Sequence, residues 1–192
     1  MKLRIIFIML LTVTILSACG QSGIKDPLNW PVEDFTFTNQ EEQPFGLADL
    51  KGKIWVADFI FTNCDDVCLP MTSNMVKLQG MVKDEGYENV EFVSFSVDPE
   101  IDSPEVLKDY GEKFNVNFGN YHFLTGYSND DIHEFAKNSF KTIVVKPKDQ
   151  DQVVHDVNFF LVDQEGNIMK YYTGLNEIPF DEIMSDIKAL QQ

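Results

Sequence analysis

A three-layer α/β domain built around a mixed sheet is what this 192-residue sequence predicts, on three observations. Two runs, KIWVADFIFT at 53–62 and VEFVSFSV at 90–97, are almost continuously apolar and rich in β-branched and aromatic residues. Such runs suit central strands covered on both faces. Stretches with apolar residues at helical spacing follow each run, so strand and helix alternate. Late in the chain, NFFLVDQEGNIMKYYTG at 158–174 reads as two β runs around a turn, which adds antiparallel strands.

Taken in order, the chain opens with the positive segment MKLR and then IIFIMLLTVTIL, an apolar run too short to span a bilayer comfortably. The run ends in Leu16-Ser17-Ala18-Cys19, which resembles a bacterial lipobox, where the cysteine is lipidated and becomes the new N-terminus. The expectation is a lipoprotein signal peptide over 1–18 and a lipid on Cys19 that tethers the protein to the outer face of the cell membrane. Residues 19–31 carry Gly and Pro breakers and read as a polar tether, which leaves the domain at 32–192.

Next comes DFTFTN, alternating and β-prone, and QPFGLADLKGK, with the turn chemistry of a connection. After the first central strand, Met71, Met75, Leu78 and Val82 recur at helical spacing and define an amphipathic helix. SPEVLKDYGEKF has Ser103 as N-cap, a proline at the first helical position and Leu107, Tyr110 and Phe114 on one face. YHFLTG reads as a third strand and SNDDIHEFAKNSF as a third helix capped by Ser128. KTIVVKPKDQDQVVHDV is polar and irregular, and PFDEIMSDIKAL closes the chain as a helix. No internal repeat or low-complexity tract is present.

The composition, 44% hydrophobic and 24% charged, is that of a globular protein. Formal net charge is −16, and removal of Lys2 and Arg4 with the signal peptide leaves 13 basic against 31 acidic residues. That balance excludes a nucleic-acid partner, because nothing would replace the phosphate counterions. A solvated acidic surface accounts for most of the charge.

Three cysteines are an odd number for an exported protein. With Cys19 taken by lipid, Cys64 and Cys68 of FTNCDDVCLPM remain as a pair in a disulfide-permissive compartment. Two cysteines that follow the first central strand and open a helix are the arrangement of the thioredoxin fold, whose site lies at the carboxyl ends of the strands. The stretch 116–157 is longer than a minimal version needs, which predicts an insertion near the site.

Here the pair is spaced C-x-x-x-C, one residue longer than in thiol–disulfide enzymes. Asp65 and Asp66 oppose an unassisted thiolate. A bound cation reverses that penalty, since coordination deprotonates thiols outright. The wider loop lets two sulfurs face one ion, and a third ligand is then required. His122 and His133 read as surface or packing residues. His155 precedes the hairpin, which in this fold comes up beside the cysteine loop; it is either a ligand or a satisfied loop histidine. Two thiolates and an imidazole suit copper, and no fourth ligand for a structural zinc is evident. Met71 and Met75 fall on the core-facing stripe. Asp98 ends the second central strand, either beside the site or as a strand-terminating Asp-Pro turn.

FTNCDDVCLPM, SVDPEIDSPEVLKDYGEKF and VVHDVNFFLVDQEGNI, in this order, resemble the SCO (SenC) family of copper-binding, thioredoxin-like membrane proteins. The resemblance runs from about residue 27 to 190. It implies a copper ion held by Cys64, Cys68 and His155, with Asp98 as a supporting candidate. It also implies a chaperone that assembles the CuA centre of cytochrome c oxidase subunit II by copper delivery, by thiol reduction of the target cysteines, or by both. A thiol reductant is then a further partner. Two departures stand out: Leu69 precedes Pro70, one place later than in the family pattern, and Asp156 replaces a small polar residue after the histidine. Three rivals remain: a membrane-tethered oxidoreductase acting on other exported proteins, a peroxidase, and a purely structural disulfide. None of them needs His155, so copper uptake that depends on this residue separates them.

Overall fold

A computed structural model describes residues 23–64, 67–146 and 152–191. The expectations for the signal peptide, for Cys19 and for Asp65 and Asp66 lie outside the described residues. Eight strands form one sheet: β1 (Trp30–Pro31), β2 (Thr36–Asn39), β3 (Pro44–Gly46), β4 (Ile54–Ile60), β5 (Val90–Ser96), β6 (Tyr121–Thr125), β7 (Asn158–Val162) and β8 (Asn167–Thr173). Among the described residues four α-helices accompany them: α1 (Cys68–Asp84), α2 (Pro104–Lys113), α3 (Asn129–Phe135) and α4 (Phe180–Leu190). The spatial order is β1-β8-β7-β4-β5-β6-β2-β3. Strands β4, β5 and β6 run parallel, and the remaining pairings are antiparallel. The mixed three-layer α/β architecture is therefore present.

Its two cores follow from the residues. Every position of β4 and β5 is buried, as expected of strands covered on both sides. On one face α1 contributes Met71, Met75, Leu78 and Val82, α2 contributes Leu107 and Tyr110, and α4 contributes Ile183, Ile187 and Leu190. Full burial of each such aliphatic side chain is worth about 1.5–3 kcal/mol. The opposite face packs Trp55, Phe59 and Phe95 against Phe35, Phe135 and Phe140. Ser103 accepts the amide of Val106 with Pro104 at the helix start, and Ser128 forms a capping box with Asp131.

At two places the structure shows more order than the sequence pattern. In the stretch read as a tether, Ile24 is buried and Trp30–Pro31 pair with β8. The segment read as a connection contains β3, which pairs with β2, and Gly46 is required there because a Cβ would lie 2.1 Å from the carbonyl oxygen of Phe35. The third helix is shorter than its pattern. It gives way after Phe135 to a π-turn over Ala136–Phe140, closed by Lys141 at φ 56°. Among the described residues no helix is long and apolar enough to cross a membrane.

The insertion emerges between that π-turn and β7. Its described arms, residues 141–146 and 152–157, meet in an antiparallel bridge between Val145 and Val154. We refer to the two arms as the strap.

Candidate metal centre

The thiol half of the site is built by β4 and α1. After Ile60 the chain turns through Phe61–Asn63 to Cys64, and Cys68 opens α1. Asp102 fixes the turn: its carboxylate accepts the Thr62 hydroxyl at 2.5 Å, the Thr62 amide at 3.3 Å and the Ser96 hydroxyl at 2.6 Å. Both cysteines are buried. The Cys68 amide, at the helix start, donates to the Cys64 sulfur at 3.4 Å. Burial, reinforced by Cys64 and then by the charge of Asp58, pushes the Cys68 thiol well above its ordinary value. A neutral thiol at neutral pH is the consequence, and metal coordination is the kind of event that removes its proton.

The imidazole half comes from the strap. His155 Nε2 lies 3.3 Å from the Cys68 sulfur. Its other nitrogen, Nδ1, is 2.7 Å from the carbonyl oxygen of Asp156. With Nδ1–H donating to that carbonyl, the Nε2 lone pair faces the sulfurs. Phe61 packs edge-on against the imidazole, with ring centroids 5.8 Å apart. The ligand atoms of Cys64, Cys68 and His155 all fall within 4.8 Å of one another. Bonds of about 2.3 Å to sulfur and about 2.0 Å to nitrogen place one ion among donors so spaced. Two soft thiolates and an imidazole, with no carboxylate in the group among the described residues, match copper better than a hard cation.

The other residues singled out by sequence resolve differently. His122 pairs with Glu91 at 2.9 Å and stacks on Phe45, and His133 bonds the Val144 carbonyl at 2.5 Å. Met71 and Met75 are core residues. Asp98, at the end of β5, pairs with Lys146 of the strap at 2.7 Å. Asp156, the departure from the family pattern, accepts the Thr142 hydroxyl at 3.0 Å and so clasps the two arms beside His155. Leu69 sits in the first turn of α1 and is exposed.

One residue escaped the sequence reading. Asp58 lies in the middle of β4 and is wholly buried. The Ser94 hydroxyl donates to one carboxyl oxygen at 2.6 Å, while the other has no hydrogen-bond partner among the described residues. Burial pushes its pKa up to about 7, against the lowering effects of Ser94 and the nearby His155. The signal was available: a charged residue inside a run buried on both faces is itself informative.

A sheet of this topology with two thiols at the start of α1 and an imidazole brought over them defines a thioredoxin-like metal-binding domain. The SCO1/SenC family profile matches residues 28–192, and the chain belongs to that family. It is 50% identical over 174 residues to a Bacillus subtilis SCO1 protein homolog, covering 91% of this chain and 90% of that one. A crystal structure of a SCO1/SenC family lipoprotein from Bacillus anthracis superposes with TM-score 0.86 at 51% identity, covering 88% of this chain and all of that one. BsSco, described as a member of the Sco family of cytochrome c oxidase assembly proteins with a disulfide switch, gives TM-score 0.82 at 49% identity over 88% and 98% of the two chains. Copper-bound ScoI of Arabidopsis thaliana gives 0.70 at 25% identity over 83% and 98%.

Proposed function

We propose that the protein binds one copper ion through Cys64, Cys68 and His155 and delivers it to the CuA centre of cytochrome c oxidase subunit II. The observation that carries this reading is the approach of His155 Nε2 to 3.3 Å from the Cys68 sulfur, across 87 residues of sequence. A structural disulfide or a simple dithiol enzyme has no use for such an imidazole. Family membership and the copper-bound ScoI relative support the same ligand chemistry. Copper here is cargo, and both cysteines lose their protons to bind it.

The test is a copper titration of the reduced domain, followed by mixing with an apo CuA domain. One equivalent should bind and then move to the acceptor. Retention of the copper by this protein, or uptake equally tight after oxidation of the cysteines, would overturn the reading, because a disulfide has no thiolate to donate.

The closeness of the two cysteines and the disulfide switch described for BsSco favour a second role at the same site. Cys64 and Cys68 reduce the acceptor's disulfide: two electrons and two protons pass to the acceptor cysteines, and Cys64 and Cys68 become joined. A thiol reductant then reopens the bond.

Cys19 is, on this account, the site of lipid attachment, holding the domain on the extracytoplasmic face of the membrane. Its relative described as a lipoprotein agrees. Metabolic labelling with a fatty acid should tag the wild type and miss Cys19→Ala; equal labelling of the two removes the anchor.

A further inference from the structure

His155 belongs to no helix or strand, so its place over the thiols must be set by what holds the strap. Within the strap the two arms are joined on either side of the histidine. The Val145 and Val154 amides and carbonyls exchange hydrogen bonds at 2.9 and 2.8 Å, and Thr142 bonds Asp156 at 3.0 Å. Val154 and Asp156 are the immediate neighbours of His155 in sequence. The imidazole therefore moves with both arms.

Several contacts fasten the arms to the body. Val144 and Val153 are buried in the core, but apolar burial is non-directional. His133 holds the Val144 carbonyl, and Gln152 donates to the Asn63 carbonyl at 3.2 Å. Among the described residues, one charged contact is Lys146 with Asp98 at 2.7 Å, where Asp98 is 2% exposed, and Glu100 lies 4.0 Å from the same ammonium. A charge-assisted bond to a buried carboxylate is short and directional.

Asp98 is in turn wired to the thiol half. Its amide donates to the Ser96 hydroxyl at 3.1 Å, Ser96 donates to Asp102 at 2.6 Å, and Asp102 holds Thr62, two residues before Cys64. One polar relay thus runs from the strap, through the end of β5, to the turn that carries the cysteines.

We infer that Lys146 is a positioning residue for the third ligand: its ion pair with Asp98 registers the strap against the thiol turn and so holds His155 over Cys68. The inference deepens the copper reading and rests on it for its effect on affinity. The relay makes the two ligand-bearing segments share one anchor, although neither Lys146 nor Asp98 belongs to the group of three ligands.

The experiment is a mutant cycle. Lys146→Met alone would strand a buried charge, so the variant used is Asp98→Asn with Lys146→Met, which removes both partners. Copper affinity of the reduced domain should fall about 10–100-fold, the range for residues that orient a ligand. In a His155→Ala background the same pair of changes should leave affinity unaltered, and Lys146→Arg should retain it. Unchanged affinity in the paired variant, or an equal loss with and without His155, overturns the inference. A metal-free measurement separates this from failure of the copper reading. In reduced protein, Cys68→Ser should shift the His155 ring resonances when Lys146 and Asp98 are present and leave them unmoved in the paired variant. An equal shift in both overturns the positioning role even if the wild type takes up no copper.

Discussion

The two halves of the site are made by different means. Cys64 and Cys68 are four residues apart, at the junction of a central strand and the helix it feeds, and regular hydrogen bonding delivers both to one place. His155 arrives on an irregular strap whose position depends on Thr142, Val145, Lys146 and Gln152, all met through side chains or a single bridge. Chain entropy explains the contrast: a local pair is nearly assembled once the helix starts, whereas a distant ligand must be held against the freedom of its loop. The thiol half should therefore tolerate damage to the strap, while the imidazole half should be adjustable without unfolding the domain. On the proposed delivery role, a centre that releases its ion gains from one ligand that is easier to displace than the other two.

Breaking the thiol half should have the largest effect. Cys68→Ala removes a ligand at the head of α1, and copper uptake by the reduced domain should be lost in a titration. The His155 ring should lose its partner as well, visible as a shift of its imidazole resonances. Copper bound at wild-type affinity in Cys68→Ala would place the ion elsewhere.

A second effect, on stability, is expected beneath the thiols. Burial raises the pKa of Asp58 from the ordinary 3.8 to about 7, so the folded protein holds this proton more tightly than the unfolded chain. The contribution of this group to stability is then fully present below pH 4, falls as pH rises through 7, and levels off above. Asp58→Asn keeps the acceptor for Ser94 and removes the charge. It should stabilise the domain by about 2–4 kcal/mol at pH 8 and change little at pH 4, by denaturant unfolding. An equal effect at both values would mean that Asp58 is not protonated on folding.

The smallest effect sharpens the comparison from the other side. Thr142→Val removes the clasp to Asp156 and should cost about 0.5–1.5 kcal/mol in denaturant unfolding. Copper affinity should weaken by a few-fold while the Cys64–Cys68 disulfide forms at the wild-type rate. Slowed disulfide formation would show that the halves are not separable.

The same division governs what could be read from sequence. Continuous apolar runs mark β4 and β5 and a period of 3.6 marks α1 and α2, because each buries surface that its own residues declare. The cysteine pair was legible for that reason: it abuts two such elements. Strand β3 was missed because three residues give no period, and it exists by pairing with β2. The π-turn after Phe135 was missed because its residues continue a helical pattern while tertiary packing ends the α-helix. His155 was reachable only through fold position and family resemblance. Lys146 had no sequence signal, since an ion pair across 48 residues leaves none in composition or spacing. Asp58 had one, but the run around it was apolar enough to hide it.

The central claim is that the two halves meet on one ion. X-ray absorption at the copper edge of the loaded, reduced protein, compared with His155→Ala, tests it directly. The account predicts two sulfurs at about 2.3 Å and one nitrogen at about 2.0 Å in the wild type, with the nitrogen absent from the variant. The same sulfur and nitrogen shell in both proteins would contradict it.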